Sequence, residues 1–337
     1  MGYKNKMSTF VVTGATGFLG GRLVEILRSK NFSVIALGRN EIAGKRLSDL
    51  GALFVQASLT DEAKLSEVIP MGCIVVHAAA LSSAWGKYED FYESNVRGTE
   101  VLAKVARQKK ASRFVHISTP SIYVSRGSRF DIRETDSLPQ ASINSYAKTK
   151  LLGERAIDRE VKDGLQGICL RPQGIFGPKD PSILPRLIRV AQKGFIPVIG
   201  SENVQIDLTH VDNVCEAILC AANANPVHIG KKYNVTNGAP IDQLTTLTSI
   251  LTRLGYPVRE KKISLFTAEK IALALEWSYR VLKLSGEPLL TRYSVYTLAF
   301  SRTLNIDAIR ADLNYSPRVT MEEGIEGYVK WYKQSAS

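Results

Sequence analysis

The segment Phe10-Val11-Val12-Thr13-Gly14-Ala15-Thr16-Gly17-Phe18-Leu19-Gly20-Gly21 constrains this chain more than any other. A short apolar run leads into glycines at 14, 17 and 20, and a helix-like pattern follows from Arg22 to Leu27. The order is strand, tight turn, helix. Glycines at that spacing let the chain reverse, bring backbone N–H groups against a pyrophosphate, and pack the helix closely on the strand. An ordinary strand-to-helix turn carries some of the same glycines, but the β-turn-α context is the one a nucleotide site requires. A nucleotide cofactor is the leading expectation.

A chain of 337 residues with 45% hydrophobic content can bury one large domain, or one domain plus a smaller lobe. Lysine and arginine number 44 against 32 aspartates and glutamates, a net charge of +12. That balance points to an anionic partner: a phosphorylated cofactor or an acidic membrane surface. The basic residues are scattered, which weighs against nucleic acid. Cys73, Cys169, Cys215 and Cys220 show no Cys-x-x-Cys spacing and read as buried thiols. Met1 to Met7 contains no apolar core of signal-peptide length, and no apolar run approaches about 18 residues. A cytoplasmic location, with peripheral membrane contact as a variant, is expected.

Beyond the glycine turn, strand-like segments alternate with helix-like ones. The strands read as Phe32 to Leu37, Leu53 to Gln56, Cys73 to His77, Arg113 to Ser118 and Gly167 to Leu170. The helices read as Glu41 to Leu50, Asp61 to Ile69, Asn95 to Gln108 and Ser145 to Lys162. This alternation predicts an α/β fold, a doubly wound parallel sheet with ligands at the carboxyl ends of its strands. From Phe176 prolines space the segments, and Tyr233-Asn234-Val235 returns to a strand pattern. The chain therefore divides into a dinucleotide-binding domain over 7–175, rejoined by 206–237, and an interleaved C-terminal substrate lobe over 176–205 and 238–337.

Tyr146-Ala147-Lys148-Thr149-Lys150 sets a phenol and an ammonium one helical turn apart. A phenol titrates near pH 10, and a nearby cation is expected to lower that value into a useful range. With 13 tyrosines in a lysine-rich chain such a pair also arises by accident, and Tyr279 with Lys283 is a second. Context separates them. Tyr146 follows the strand Phe114-Val115-His116-Ile117 and its hydroxyl-bearing end Ser118-Thr119-Pro120-Ser121, whereas Tyr279 lies inside a helical pattern. A hydroxyl at a sheet edge, a phenol and a lysine together can protonate a carbonyl oxygen during hydride delivery.

Seven motifs now stand in order: the glycine turn, His77-Ala78-Ala79-Ala80, Asn95-Val96-Arg97-Gly98-Thr99, Ser118-Thr119-Pro120-Ser121-Ile122-Tyr123, Tyr146 to Lys150, Arg171-Pro172-Gln173-Gly174-Ile175-Phe176-Gly177-Pro178, and His210-Val211-Asp212-Asn213. In this constellation the chain resembles the extended short-chain dehydrogenase/reductase (NAD-dependent epimerase/dehydratase) superfamily over nearly its whole length. Glu287-Pro288-Leu289-Leu290-Thr291-Arg292-Tyr293 and Ala311-Asp312-Leu313-Asn314-Tyr315-Ser316-Pro317 resemble its branch of 3β-hydroxysteroid dehydrogenases and 2-alkyl-3-keto acid reductases.

The resemblance implies Tyr146 as general acid/base, Lys150 as its tuner and a nicotinamide-ribose contact, and Thr119 as the hydroxyl on the substrate oxygen, with Ser118 the neighbouring alternative. It implies that Gly14, Thr16, Gly17, Phe18, Leu19 and Gly20 hold the pyrophosphate. Ala78, Ala79 and Ala80 would line the adenosine-ribose side, Ser58 and Leu59 the adenine, and Pro172 the nicotinamide. At Ser58 the family usually carries an aspartate. Asn95 would order the helix beside the site, or cap a helix starting at Val96. The second strand ends in Gly38-Arg39, where an NAD-specific enzyme presents a carboxylate. Arg39 can pair with a 2′-phosphate, so NADP(H) is favoured, with NAD(H) the alternative. His77, His116 and His210 read as strand-end caps, and none has metal-ligand spacing, so no metal is expected.

Thr267 to Leu284 reads as a helix with Glu269, Glu276, Arg280 and Lys283 on one face and Ile271, Ala274, Leu275, Ser278 and Leu282 toward a core. Its basic surroundings also suit docking on an anionic bilayer. The expected activity is an NAD(P)-dependent oxidoreduction of a carbonyl or secondary alcohol on an apolar substrate. Nucleotide-sugar epimerisation, dehydration or reduction is the alternative, although Pro120-Ser121 lacks the acid/base pair that a dehydratase wants. A non-catalytic NAD(P)-binding sensor or scaffold would more cheaply have lost Tyr146 or Lys150. A homodimer is implied by the resemblance alone.

Overall fold

Valine- and isoleucine-rich runs build a seven-stranded sheet whose neighbours all pair in parallel. The computed structural model describes residues 8–200 and 203–336, so the reading of the first seven residues lies outside the described ones. The chain opens with β1 (Thr9–Thr13), α1 (Phe18–Ser29), β2 (Ser33–Gly38), α2 (Glu41–Asp49), β3 (Leu53–Gln56), α3 (Glu62–Val68) and β4 (Ile74–His77). Then come α4 (Tyr88–Tyr92), a π-helical turn (Glu93–Arg97), α5 (Gly98–Gln108), β5 (Arg113–Ile117), a 3-10 turn (Pro120–Tyr123), β6 (Arg129–Ile132), α6 (Ser145–Lys162) and β7 (Gly167–Pro172).

Short elements follow: β8 (Ile175–Phe176), α7 (Ile183–Ala191), β9 (Phe195–Ile199), β10 (Gln205–Ile206) and β11 (Thr209–His210). Next are α8 (Val211–Ala222), β12 (Lys232–Val235), β13 (Ile241–Asp242), α9 (Gln243–Arg253) and β14 (Arg259–Ile263). The chain ends with α10 (Leu265–Val281), α11 (Arg292–Ala299), β15 (Arg302–Leu304), α12 (Asp307–Leu313) and α13 (Met321–Ala336).

The strand order β12-β7-β5-β4-β1-β2-β3 reverses direction of travel at β1, which places the topological switch point between β1 and β4. Thr13 and His77 stand opposite each other there, and both strands run straight into their loops at Gly14 and Ala78. Apolar side chains cover both faces. Phe10, Val12, Val76 and Val115 pack with Leu23, Leu27 and Ile218 on one side; Val11, Val75 and Phe114 pack with Leu65, Leu102 and Ile157 on the other. Each fully buried side chain of this size contributes about 1.5–3 kcal/mol. This is the doubly wound fold that the alternation predicts.

The helix expected from Asn95 begins earlier. α4, the π-helical turn and α5 run on from Tyr88, so Asn95 lies inside the helical segment and is not its N-cap. A second departure concerns α10. Its inner face carries Ala268, Ala272 and Glu276, while Ile271 and Leu282 are exposed, the reverse of the apolar face expected from the sequence. Small residues let α10 lie close to Val295 and Ala299 of α11, and Glu276 is satisfied by Arg292 at 2.9 Å. His210 caps the N-terminus of α8, its Nδ1 accepting from the Asp212 N–H.

Candidate active site

The glycine turn forms a cradle that side chains would fill. Gly14 has φ +66°, and a Cβ there would lie 2.7 Å from the backbone of Ala79; one at Gly20 would lie 2.2 Å from the Gly14 carbonyl oxygen. Gly17 caps α1 with no side-chain hydrogen bond, and no acidic residue occupies the first turn. The leading N–H groups of α1 thus meet no competing side-chain cap, which suits a pyrophosphate. These residues fit a dinucleotide. The Thr13 hydroxyl ties the two loops together: it meets His77 Nδ1 at 2.8 Å and accepts from the Ala79 N–H at 3.3 Å. Burial, and then the charge of Lys150, lowers the His77 imidazolium to about 3, so the ring stays neutral.

Gly38 and Thr16 approach closely, since a Cβ at Gly38 would come within 2.8 Å of the Thr16 side chain. Arg39 follows, exposed, at the carboxyl end of β2. Leu59 packs against Gly98, Ser58 shares a hydrogen bond with Thr60 at 2.9 Å, and Pro172 ends β7 opposite Val235.

Beyond β5, Thr119 caps the 3-10 turn, its Oγ1 accepting from the Ser121 N–H at 3.1 Å. The Tyr146 phenol hydrogen-bonds Thr119. Ser118 turns the other way, donating to the buried Glu154 at 2.5 Å. Of the two adjacent hydroxyls, Thr119 is thus the one that meets Tyr146, because successive side chains on extended backbone face opposite ways.

The expected lowering of the phenol by Lys150 is not found. Burial pushes the Tyr146 phenol up to about 12, and only the Thr119 hydrogen bond pulls it down. Lys150 is 1% exposed and donates to the Ile117 carbonyl at 2.6 Å, with His116 Nε2 at 3.4 Å. The two residues stand one turn apart on α6, and the lysine side chain ends at that carbonyl. Burial holds the Lys150 ammonium down at about 8, against the opposing charge of Glu154.

Asn95, 1% exposed, accepts from the Leu81 N–H at 2.8 Å and donates to the Leu81 carbonyl at 3.1 Å and the Thr149 hydroxyl at 3.2 Å. It fastens the β4–α4 loop to α6 one residue before Lys150.

Sequence reasoning passed over three supports of this site. Glu154, one turn beyond Lys150 on α6, takes Arg171 in a two-pronged pair, Nε at 2.9 Å and Nη2 at 2.6 Å. Its i,i+4 relation to Lys150 was a usable signal. Tyr123 receives a further hydrogen bond from Arg171 and donates to Asn234 at 3.1 Å. Tyr293, at the start of α11, meets the Ser121 hydroxyl at 3.0 Å, and Thr119 donates to that same hydroxyl at 3.0 Å. No local pattern joins positions 172 residues apart.

Residues 10–236 match the family described as the NAD dependent epimerase/dehydratase family. The chain belongs to that family. It is an NAD(P)-dependent enzyme of the extended short-chain dehydrogenase/reductase type, with curated relatives named as oxidoreductases. The 4-hydroxy-2-methyl-3-oxo-4-farnesyl-3,4-dihydroquinoline-1-oxide ketoreductase of Stigmatella aurantiaca is 34% identical over 322 residues, 95% of this chain and 95% of that protein. The 2-alkyl-3-oxoalkanoate reductase of Shewanella oneidensis is 29% identical over 333 residues, 95% of this chain and 85% of that protein. Among solved structures, MoeE5 in complex with UDP-glucose and NAD superposes with a TM-score of 0.76 at 22% identity, over 98% of this chain and 100% of that one, which shows the shared fold. Among the described residues no His/Cys/Asp/Glu group could hold a metal ion, and no helix is long and apolar enough to cross a membrane.

Proposed function

We propose that this enzyme reduces a ketone on an apolar carbon skeleton, of the 2-alkyl-3-keto acid or 3-ketosteroid type, using NADPH in preference to NADH. The observation that carries the reading is the Thr119–Tyr146 hydroxyl pair, with the phenol held in its protonated form. A protonated phenol is the state needed to give a proton to a carbonyl oxygen. The named activities of the Stigmatella and Shewanella relatives support the substrate class.

Bound in the glycine cradle, the cofactor supplies the hydride. Gly14, Gly17 and Gly20, with the leading N–H groups of α1, hold its pyrophosphate. Arg39 pairs with a 2′-phosphate, and Gly38 presents no carboxylate to repel one. Lys150 would contact the nicotinamide ribose, and Pro172 would lie beside the nicotinamide. Thr119 and Tyr146 both hydrogen-bond the substrate oxygen and oppose its developing negative charge. Tyr146 then passes its proton to that oxygen, leaving a phenolate that regains a proton before the next turnover.

The test follows reduced-nicotinamide absorbance with NADPH and NADH against 2-alkyl-3-keto acids, 3-ketosteroids and 4-keto nucleotide sugars. An apolar ketone should be turned over, and Tyr146→Phe should lower that rate roughly 10²–10⁴-fold. Turnover of the keto sugars alone would sink the proposal.

A further inference from the structure

Helix α10 is apolar on the side turned away from the protein. Its inner face holds Ala268, Ala272 and Glu276 against α11, and the opposite side presents Phe266, Leu273, Trp277 and Val281 at i, i+7, i+11 and i+15. Phe266 is 69% exposed and Trp277 66%. The apolar surface continues past the helix through Leu282 and Leu284. A helix apolar on both sides calls for a second partner, and a contiguous patch of large apolar side chains marks an interaction surface.

The charges around the patch identify what covers it. Lys270 lies within the outward stripe, Arg280 stands over the Trp85 ring, and Lys283 follows the helix end. The acids of the same region are spent on neighbours: Glu269 pairs with Arg126 at 3.0 Å, Glu276 with Arg292 at 2.9 Å, and Glu287 with Arg186 at 2.8 Å. The surface presented outward is therefore apolar and cationic. A second copy of the chain, itself at net +12, would bring lysines against lysines across a twofold contact. An anionic bilayer offers both acyl chains for Phe266 and Trp277 and negative headgroups for the cations.

We propose that α10 and the segment after it dock the enzyme onto anionic membrane surfaces, with Phe266, Trp277 and Val281 buried at the acyl boundary and Lys270, Arg280 and Lys283 at the headgroups. The docking does not depend on which ketone is reduced. Tyr279, on the inner side of the same helix, packs edge-on against Trp85 of the β4–α4 loop, so the docked face adjoins the loop that Asn95 fastens beside the catalytic helix.

The test is co-sedimentation of the full chain with phosphatidylcholine vesicles containing about 30% phosphatidylglycerol, and with phosphatidylcholine alone. Binding should be at least tenfold tighter to the anionic vesicles and should weaken at about 0.5 M salt. Trp277 fluorescence should shift to the blue and be quenched by brominated lipid, and Trp277→Phe should remove the shift while keeping binding. A Phe266→Ser, Trp277→Ser, Val281→Ser variant should lose at least tenfold in binding with its melting midpoint unchanged. Lys270→Glu with Lys283→Glu reads the same loss without touching the apolar side chains. Equal binding by the wild type and both variants overturns the proposal. So does sedimentation in which the serine variant turns a dimer into a monomer while vesicles bind neither protein, because a second copy then covers this face.

Discussion

The Tyr293 phenol, from the first turn of α11, meets the Ser121 hydroxyl at 3.0 Å and through it joins the Thr119 hydroxyl that holds Tyr146. A residue of the C-terminal segment thereby reaches the hydroxyl network around Tyr146, the proton donor proposed on α6. Tyr293→Phe removes one neutral hydrogen bond, worth about 1 kcal/mol. We expect kcat to fall roughly fivefold with cofactor affinity unchanged. A steady-state kcat and KM comparison, paired with a cofactor-fluorescence titration, checks this.

The pH dependence separates Lys150 from Tyr146. Burial holds the lysine at about 8 and the phenol at about 12, so rising pH discharges the lysine first. Below pH 8 the ammonium is present, and above it the amine is neutral. Reductase activity should therefore decline as pH rises through about 8 while the phenol is still protonated. Lys150→Arg, whose cation persists at high pH, should move the decline upward. A decline that stays at the same pH in Lys150→Arg would exclude the lysine as its source.

The buried Glu154–Arg171 pair ties α6, which carries Lys150, to β7, and Glu154 also holds Ser118 at the end of β5. Its desolvated charges satisfy each other, and removing one strands the other. Glu154→Ala should destabilise the protein by about 3–5 kcal/mol. Denaturant unfolding of the variant beside the wild type measures the difference, and a loss under 1 kcal/mol would contradict the role.

Arg39 is exposed just beyond β2, and the proposed NADPH preference rests on its pairing with a 2′-phosphate that NAD(H) lacks. Hydrogen bonds to charged groups contribute about 1.5–3 kcal/mol. Arg39→Ala should weaken NADPH binding roughly 10- to 100-fold and leave NADH binding nearly unchanged. Titration calorimetry with both cofactors tests it, and equal losses for the two would remove the basis for the preference.

Much of the N-terminal half was legible in the chain itself. Leu53–Gln56 and Ser145–Lys162 form over the residues expected, because alternation and helical periodicity are local properties. The glycine turn was equally plain, since close backbone approach at Gly14 and Gly20 admits no side chain. The N-cap reading of Asn95 failed for the opposite reason. Asparagine suits a cap by propensity, but a buried amide beside the Leu81 backbone and the Thr149 hydroxyl gains three hydrogen bonds inside the helix.

By itself the sequence determined the order of strands and helices, the glycine turn and the one-turn spacing of Tyr146 and Lys150, all of which depend on neighbours a few residues apart. Tertiary structure decided which hydroxyl reaches Tyr146, that the Lys150 ammonium is held by the Ile117 carbonyl, that Tyr293 joins the site, and that α10 turns Phe266 and Trp277 outward. Those outcomes rest on contacts between distant segments and on competition for burial, and no periodicity records either.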